Sequence, residues 1–115
     1  MTVFESALTA ANFTHSHIYH TTFRDKLPPD VFGGTDKNAP ARRTIHLEFG
    51  SLDTDTFVTT DMAGKPRTFF QDRTFVGKFF EATGAEPGDA VLFQQVDPYH
   101  LKLSLRKKTG RLVTA

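Results

Sequence analysis

Three histidines lie close together near the start of the chain, at positions 15, 17 and 20. Imidazole nitrogens bind zinc and related metals, so these residues form the densest group of candidate metal ligands. On an extended strand His15 and His17 would share one face, His20 would point to the other, and no carboxylate lies among them. The spacing favours a polar loop entering a strand, and we expect no metal or other cofactor. A small metal-dependent hydrolase using His15, His17 and His20 is the enzymatic alternative.

Other enzyme chemistry finds little support in the sequence. The absence of cysteine excludes disulfides, thiolate metal sites and cysteine nucleophiles. The chain has no P-loop, no Gly-x-Ser-x-Gly and no glycine-rich dinucleotide motif. No Asp or Glu stands two residues before a lysine, a spacing common in metal-dependent nucleases. We therefore expect a chain without catalytic residues.

Two polar segments instead carry side chains suited to nucleic-acid recognition. The first, residues 9–17, is rich in Thr, Asn, Ser and His, which pair with base edges or phosphates. The second, residues 61–73, combines three cations with Gln71 and Asp72. Arginine suits the O6 and N7 atoms of guanine, glutamine suits adenine, and aspartate accepts from the N4 amine of cytosine. Solvated turns with phenylalanines filling the core are the structural alternative for both segments.

The composition fits one folded domain over residues 1–115. The chain has 115 residues, twelve of them Phe, with no Trp and a net charge of +1. No apolar run reaches the ~18 residues of a membrane helix, and the N-terminus lacks the pattern of a secretory signal. Basic residues concentrate in two segments, residues 62–80 with a net charge of +3 and residues 102–115 with +5. A fold that brought these segments to one side would attract a polyanion.

The secondary-structure elements that must position these segments are predicted to be mostly strands. Alternation or β-forming residues predict strands over 4–8, 17–23, 44–49, 57–60, 90–96 and 99–105, with a turn over 51–55. Residues 24–32 leave room for a short helix around Pro28 and Pro29. Phe75, Val76, Phe79 and Phe80 form a helical stripe over 73–83, which Gly84 is suited to end. Six or seven short strands without a βαβ rhythm predict a small antiparallel barrel or sandwich.

The order of these pieces resembles the B3-type DNA-binding pseudobarrel. In that family a helix beginning Phe-Val precedes a Gly-Asp-x-Val-x-Phe strand, and residues 75–76 and 88–93 match both motifs. The chain is most similar to the bacterial branch, the N-terminal effector-DNA-binding domain of EcoRII-type restriction endonucleases, which Phe32-Gly33-Gly34, Arg43-Thr44-Ile45 and Pro98-Tyr99 support. The resemblance spans about residues 4–106. It implies a mainly β fold (α+β by strict count), a seven-stranded open pseudobarrel with two short helices.

In this family two arms grip the major groove of double-stranded DNA from opposite sides. By position, the resemblance makes residues 9–17 the first arm and residues 65–73 the second. It also places Arg24, Lys26 and Arg43 close enough to the arms to extend a positive rim. The basic tail over 106–115 either adds non-specific attraction or is frayed. The expected DNA-binding residues are Asn12, Thr14, His15, Ser16, His17, Arg24, Lys26, Arg43, Lys65, Arg67, Gln71, Asp72 and Arg73.

The resemblance implies a sequence-specific recognition module of a restriction or regulatory system. The chain lacks the catalytic domain of the restriction-enzyme members, so cleavage would need a separate nuclease domain or subunit as partner. We expect a monomer in the cytoplasm, associated with the nucleoid if the source is bacterial, with no membrane partner. A β-barrel module that binds protein or carbohydrate is the third possibility, and an exposed aromatic patch away from the arms would favour it.

Overall fold

The computed structural model describes residues 2–35 and 38–115 of the chain. That part contains six strands, two α-helices and two short 3₁₀ helices. Neither α-helix has the length and hydrophobicity needed to cross a membrane. The 3₁₀ helices cover Arg24–Lys26 and Pro29–Val31. The strands and α-helices are β1 (Val3–Ala7), α1 (Ala10–His15), β2 (Ile45–Phe49), β3 (Leu52–Thr56), α2 (Arg73–Thr83), β4 (Ala90–Asp97), β5 (His100–Arg106) and β6 (Leu112–Val113).

The strands form one open sheet in the order β1-β4-β5-β2-β3, with β6 paired to the end of β5. The β2–β5 pair is parallel and every other pair is antiparallel. A parallel pair needs a long crossover connection, which the chain between β2 and β5 supplies with β3, α2 and β4. The domain is therefore mostly β with a mixed sheet, and the prediction of a purely antiparallel arrangement is wrong.

One face of the sheet packs on a core rich in phenylalanine. The alternation in β5 buries Leu101, Leu103 and Leu105, as the sequence predicts. Phe4 of β1 stacks on Phe23 with 4.8 Å between ring centroids. Burying large aromatic side chains contributes heavily to the stability of a chain that has no disulfide. The other fully buried large aliphatic and aromatic residues include Ile18, Ile45, Leu47, Phe70, Phe79 and Phe93.

Helix α2 confirms the prediction for residues 73–83. Its apolar stripe, including Phe75 and Phe79, is buried. The Asp72 carboxylate accepts a hydrogen bond from the backbone N–H of Phe75 at 2.9 Å and caps the N-terminus. At the other end Gly84 has φ 65°, a left-handed conformation that glycine adopts without steric cost. Local signals alone therefore fix both ends of this helix.

Two strand predictions fail where hydrogen-bond partners are not local. Residues 17–23 form no strand; Tyr19 makes an isolated bridge to Phe69, and the chain turns at 21–23. The second hairpin strand runs over Leu52–Thr56 rather than 57–60, because the turn is tighter than predicted and lies around Gly50 at φ 62°. The alternating acids of β3 give it the composition of a loop.

Replacing Asp72 with alanine is expected to lower the free energy of unfolding by about 1–2 kcal/mol, because α2 loses its N-cap. The Thr54 hydroxyl, which donates to the other carboxylate oxygen at 2.6 Å, also loses its acceptor. Urea unfolding followed by circular dichroism measures the effect. Asp72→Asn is the matched control and should remain within about 0.5 kcal/mol of the parent, because asparagine caps helices as well as aspartate does. Equal losses in both variants would contradict a capping role.

Candidate nucleic-acid interface

The first arm, residues 9–17, folds around the buried side chain of Asn12. Its Oδ1 accepts hydrogen bonds from the Thr9 backbone N–H at 2.7 Å and from the Thr9 hydroxyl. Its Nδ2 donates to the His17 carbonyl at 2.8 Å. Ser16 ends α1 in the left-handed region, with φ 54°. One amide therefore ties the entrance of α1 to its exit and holds the intervening turn in shape.

The second arm, residues 65–73, follows a tight turn organised by Asp61. Its carboxylate accepts from the backbone N–H groups of Ala63 and Lys65, both at 2.9 Å. The backbone then runs beside residues 57–60, with the Arg67 N–H donating to the Thr59 carbonyl at 2.8 Å. Lys65 and Arg67 are exposed along this arm. Backbone hydrogen bonds thus position its cations.

The two arms meet in direct contact. The His17 ring stacks on Phe69, with centroids 3.5 Å apart and planes 8° from parallel. The Arg73 Nε donates to the His15 carbonyl at 3.2 Å. The arms therefore lie side by side and are in contact through these two pairs of residues.

A groove of about 380 Å³ runs along this junction. Its predicted members are two histidines, two arginines and a glutamine; threonines and Phe69 complete it. Among residues 2–35 and 38–115 no Asp or Glu lines it, and the permanently charged side chains that line it there are both arginines. Such a surface suits an anionic ligand. The lining residues are His15, His17, Thr35, Thr59, Thr60, Arg67, Phe69, Gln71 and Arg73.

The cations of the groove act on the histidine at its centre. Partial burial lowers the pKa of His17, and the positive charges of Arg73, His15 and Arg67 lower it further. His17 is therefore neutral at neutral pH and offers both a donor and an acceptor. The permanent positive charge of the groove comes from the two arginines.

The third histidine, His20, lies in the core. It is fully buried, with its ring edge-to-face against Phe32 and Phe70. Its Nε2 is 2.9 Å from the Arg67 carbonyl and therefore carries the proton. Burial lowers the pKa of His20 and keeps it uncharged. His20 thus supports the backbone of the second arm and is separated from the groove that His15 and His17 line.

Four residues that were predicted to contact DNA have roles within the protein fold in the structure. Asn12, a predicted DNA contact, is buried, and both the oxygen and the nitrogen of its side-chain amide are hydrogen-bonded within the arm. Asp72 uses one carboxylate oxygen to cap α2 and the other to accept from Thr54, and it too is a structural residue. Thr14 is exposed, but its hydroxyl donates to the Ala10 carbonyl. Ser16 is half-buried at the C-cap of α1. Residues that sequence reasoning assigns to base reading therefore serve partly to shape the arms.

The predicted rim is split between two places. Arg24 lines a second pocket, of about 530 Å³, together with Asp25 and with Pro66 of the second arm. Lys26 is exposed on the same 3₁₀ helix. Arg43 instead lies over the Tyr99 ring, 3.5 Å from its centroid, beside the turn between β4 and β5. Its described contacts therefore tie it to that turn rather than to either arm.

Sequence reasoning missed the groove residues contributed by chain outside the arms. Thr59 and Thr60 join it because residues 57–60 run beside the second arm. Thr35 joins it because the Thr60 N–H donates to the carbonyl of Gly34, the residue before Thr35, at 3.2 Å. Threonines in a β-forming run carry no sequence signal that separates a groove lining from an ordinary strand. No protein-family model, curated protein or solved structure matches the chain.

Proposed function

We propose that this chain is a sequence-specific double-stranded DNA-binding domain that reads the major groove with its two arms. It would act as a recognition module of a restriction or regulatory system and carry out no reaction itself. Cleavage would require a nuclease domain or subunit as partner. We place it in the cytoplasm as a monomer. The groove between the arms, which two arginines line and which no acid among the described residues lines, carries the proposal.

The chemistry of the groove supports reading of bases as well as attraction to phosphates. Arginine donates two parallel hydrogen bonds to guanine, and glutamine pairs with adenine through one donor and one acceptor. Arg67 is exposed and Gln71 half-buried in one wall, while His15 and His17 supply shorter polar groups from the other. Lys65 at the end of the second arm suits a phosphate. A cationic and an amide side chain on one wall and two imidazoles on the other supply the donors and acceptors that base recognition needs.

We also propose that the fold is a B3-type pseudobarrel with a seventh, irregular strand. Isolated bridges join Tyr19 to Phe69, Phe32 to Val58 and Thr60 to Pro66. The backbone N–H of His20 also donates to the Thr68 carbonyl at 2.9 Å. These contacts link the segments around residues 19, 58 and 68 into a loose ladder outside the regular sheet, which supports partial closure of a barrel.

The alternatives find less support. The hydrolase alternative needs His20 beside His15 and His17, and His20 is buried with Nε2 bonded to a carbonyl. The protein- or carbohydrate-binding alternative needs an exposed aromatic patch. Among the described residues, the exposed large hydrophobic side chains are aliphatic: Val3, Met62, Val96 and Leu112.

Selection from a randomised duplex library tests the proposal. We expect one sequence class to be enriched and to bind at least about a thousandfold more tightly than a scrambled duplex. With about four to six phosphate contacts, log K for the selected duplex should fall with log[salt] at a slope of about −4 to −5. Fluorescence anisotropy at several salt concentrations measures both quantities.

Three results would separate the possibilities. Enrichment together with the steep slope supports specific recognition. A steep slope with equal affinity for selected and scrambled duplexes would reduce the activity to non-specific electrostatic attraction. Failure to enrich any sequence, together with a flat salt response, would remove the DNA-binding assignment.

A further inference from the structure

The parallel pairing of β2 with β5 assembles a second polar cluster on the sheet. Their register sets His46 opposite His100. Since alternate residues of a strand share a face, Glu48 lies on the same side as His46, while Leu47 between them points into the core. The β2–β3 hairpin adds two further carboxylates, because Asp55 pairs with His46 and Asp53 with Glu48. Two imidazoles and three carboxylates thus converge on one face.

The distances within the cluster approach those of a metal site. The Nε2 of His100 lies 3.1 Å from Glu48 Oε2, and the Nε2 of His46 lies 3.3 Å from Asp53 Oδ2 and 4.0 Å from Glu48 Oε2. Donor atoms from His46, Glu48 and His100 all lie within 4.8 Å of one another. Ligands of a tetrahedral zinc ion, each about 2.0–2.1 Å from the metal, are about 3.3 Å apart. Small side-chain shifts therefore suffice to close the cluster on an ion.

Hydrogen bonding directs the lone pair of the His46 imidazole into the cluster. The Nδ1 of His46 lies 2.8 Å from Asp55 Oδ1, so in the neutral ring Nδ1 carries the proton and Nε2 presents its lone pair to Glu48 and Asp53. A carboxylate that holds a histidine in this way is the usual outer partner of a metal-bound imidazole. The Nε2 of His100 is shielded from solvent, and within residues 2–35 and 38–115 it makes no hydrogen bond, since its 3.1 Å contact with Glu48 lacks hydrogen-bond geometry.

We propose that His46, Glu48 and His100, with Asp53 as the fourth ligand, bind one divalent zinc-type cation, and that Asp55 orients His46. Two imidazoles with carboxylates suit zinc and its transition-metal neighbours, whereas magnesium and calcium prefer oxygen ligands alone. The ion would join β2, β3 and β5. The β2–β5 junction gains most, because its register has only three residue pairs. This site is distinct from the groove residues.

Calorimetric titration of the full, metal-stripped chain with zinc chloride tests the proposal. We expect saturation at one zinc per chain and a rise in melting temperature with free zinc, since the ion binds the folded form. His46→Gln and His100→Gln should abolish both effects, with circular dichroism reporting that the fold is kept. Asp55→Asn should weaken zinc binding about ten- to hundredfold. Cobalt(II) substitution should give the visible absorption of a tetrahedral site in the parent and not in His100→Gln.

The double variant His15→Gln/His17→Gln is the matched control, because it removes two imidazoles from the groove and leaves the proposed site intact. It should retain stoichiometric zinc binding. Absence of saturable zinc binding by the parent would overturn the proposal, as would loss of binding in the control with retention in His46→Gln and His100→Gln. No DNA enters these titrations, so their outcome is independent of the proposed recognition function.

Discussion

Replacing Asp89 with asparagine is expected to lower the free energy of unfolding by about 3–5 kcal/mol, the range seen when one partner of a buried ion pair is removed. Asp89 is 1% exposed and lies in the turn before β4. Its Oδ2 is 2.5 Å from the Lys107 ammonium and accepts from the Glu86 N–H, and its Oδ1 accepts from the Lys108 N–H. The carboxylate therefore joins the turn to the chain that follows β5, and asparagine would leave the Lys107 charge without its closest partner.

The same contacts make this contribution depend on pH. Burial by itself would raise the pKa of Asp89, but the Lys107 ammonium and the backbone N–H groups of Lys108 and Glu86 outweigh it and hold the pKa below its ordinary value of 3.8. Because its pKa is lower in the folded state, the ionised Asp89 carboxylate stabilises the fold above pH 3.8. This stabilisation is lost as the pH falls through the pKa of Asp89 in the folded protein. The stability gap between the parent and Asp89→Asn should therefore narrow in acid. Urea unfolding at neutral and acidic pH measures it.

Glu86→Gln provides the control for the loss of an acid near Lys107. The Glu86 carboxylate is 3.1 Å from the same ammonium, but its side chain is 60% exposed. Because exposed ion pairs contribute about 0–1 kcal/mol, the free energy of unfolding of this variant should be close to that of the parent. A cost for Glu86→Gln equal to that of Asp89→Asn, or a stability gap for Asp89→Asn that is constant with pH, would contradict the role assigned to the buried carboxylate.

Removing both groove arginines, Arg67→Ala with Arg73→Ala, is expected to weaken binding to the selected duplex by about 2–6 kcal/mol, at about 1–3 kcal/mol for each arginine. These two side chains supply the permanent charge of the groove. If either neutralises a phosphate, its removal should make the slope of log K against log[salt] shallower by about one. Anisotropy titrations of the single and double variants measure affinity and slope together.

Arg42→Ala is the matched control, because Arg42 is an exposed arginine that does not line the groove. Its affinity should change far less than that of Arg67→Ala. The single variants also separate two roles: an arginine that reads a base changes the preferred sequence, whereas one that neutralises a phosphate weakens all duplexes alike. Parent-like affinity of the double variant would exclude the groove as the binding surface.

Sequence patterns predicted those elements whose determinants are local. The stripe of Phe75, Val76, Phe79 and Phe80, with Asp72 before it and Gly84 after it, defines α2 without reference to the rest of the chain. Alternation likewise identified β4 and β5. The strand predicted over residues 17–23 is wrong because β-forming side chains do not reveal whether a partner strand exists. Here the hydrogen-bond partners are irregular segments distant in sequence.

The candidate site divides in the same way. Clusters of small polar and cationic residues predicted both arms, but residue type alone could not distinguish side chains that are free to contact a ligand from those that hold the arms in shape. Asn12 and Asp72 have the chemistry to recognise adenine and cytosine, and that same chemistry closes a helical turn. The pairing of His46 with His100 was out of reach, because 53 residues separate them and only the parallel register of β2 and β5 brings them together.

The stacking of His17 on Phe69 has a consequence for protein engineering. Because each arm forms part of the other's support, neither is a transferable unit. A graft of residues 9–17 onto another scaffold would lose the ring that orients His17, and a graft of residues 65–73 would leave Phe69 uncovered. Re-engineering the proposed recognition surface therefore requires redesign of the two segments together as one composite surface.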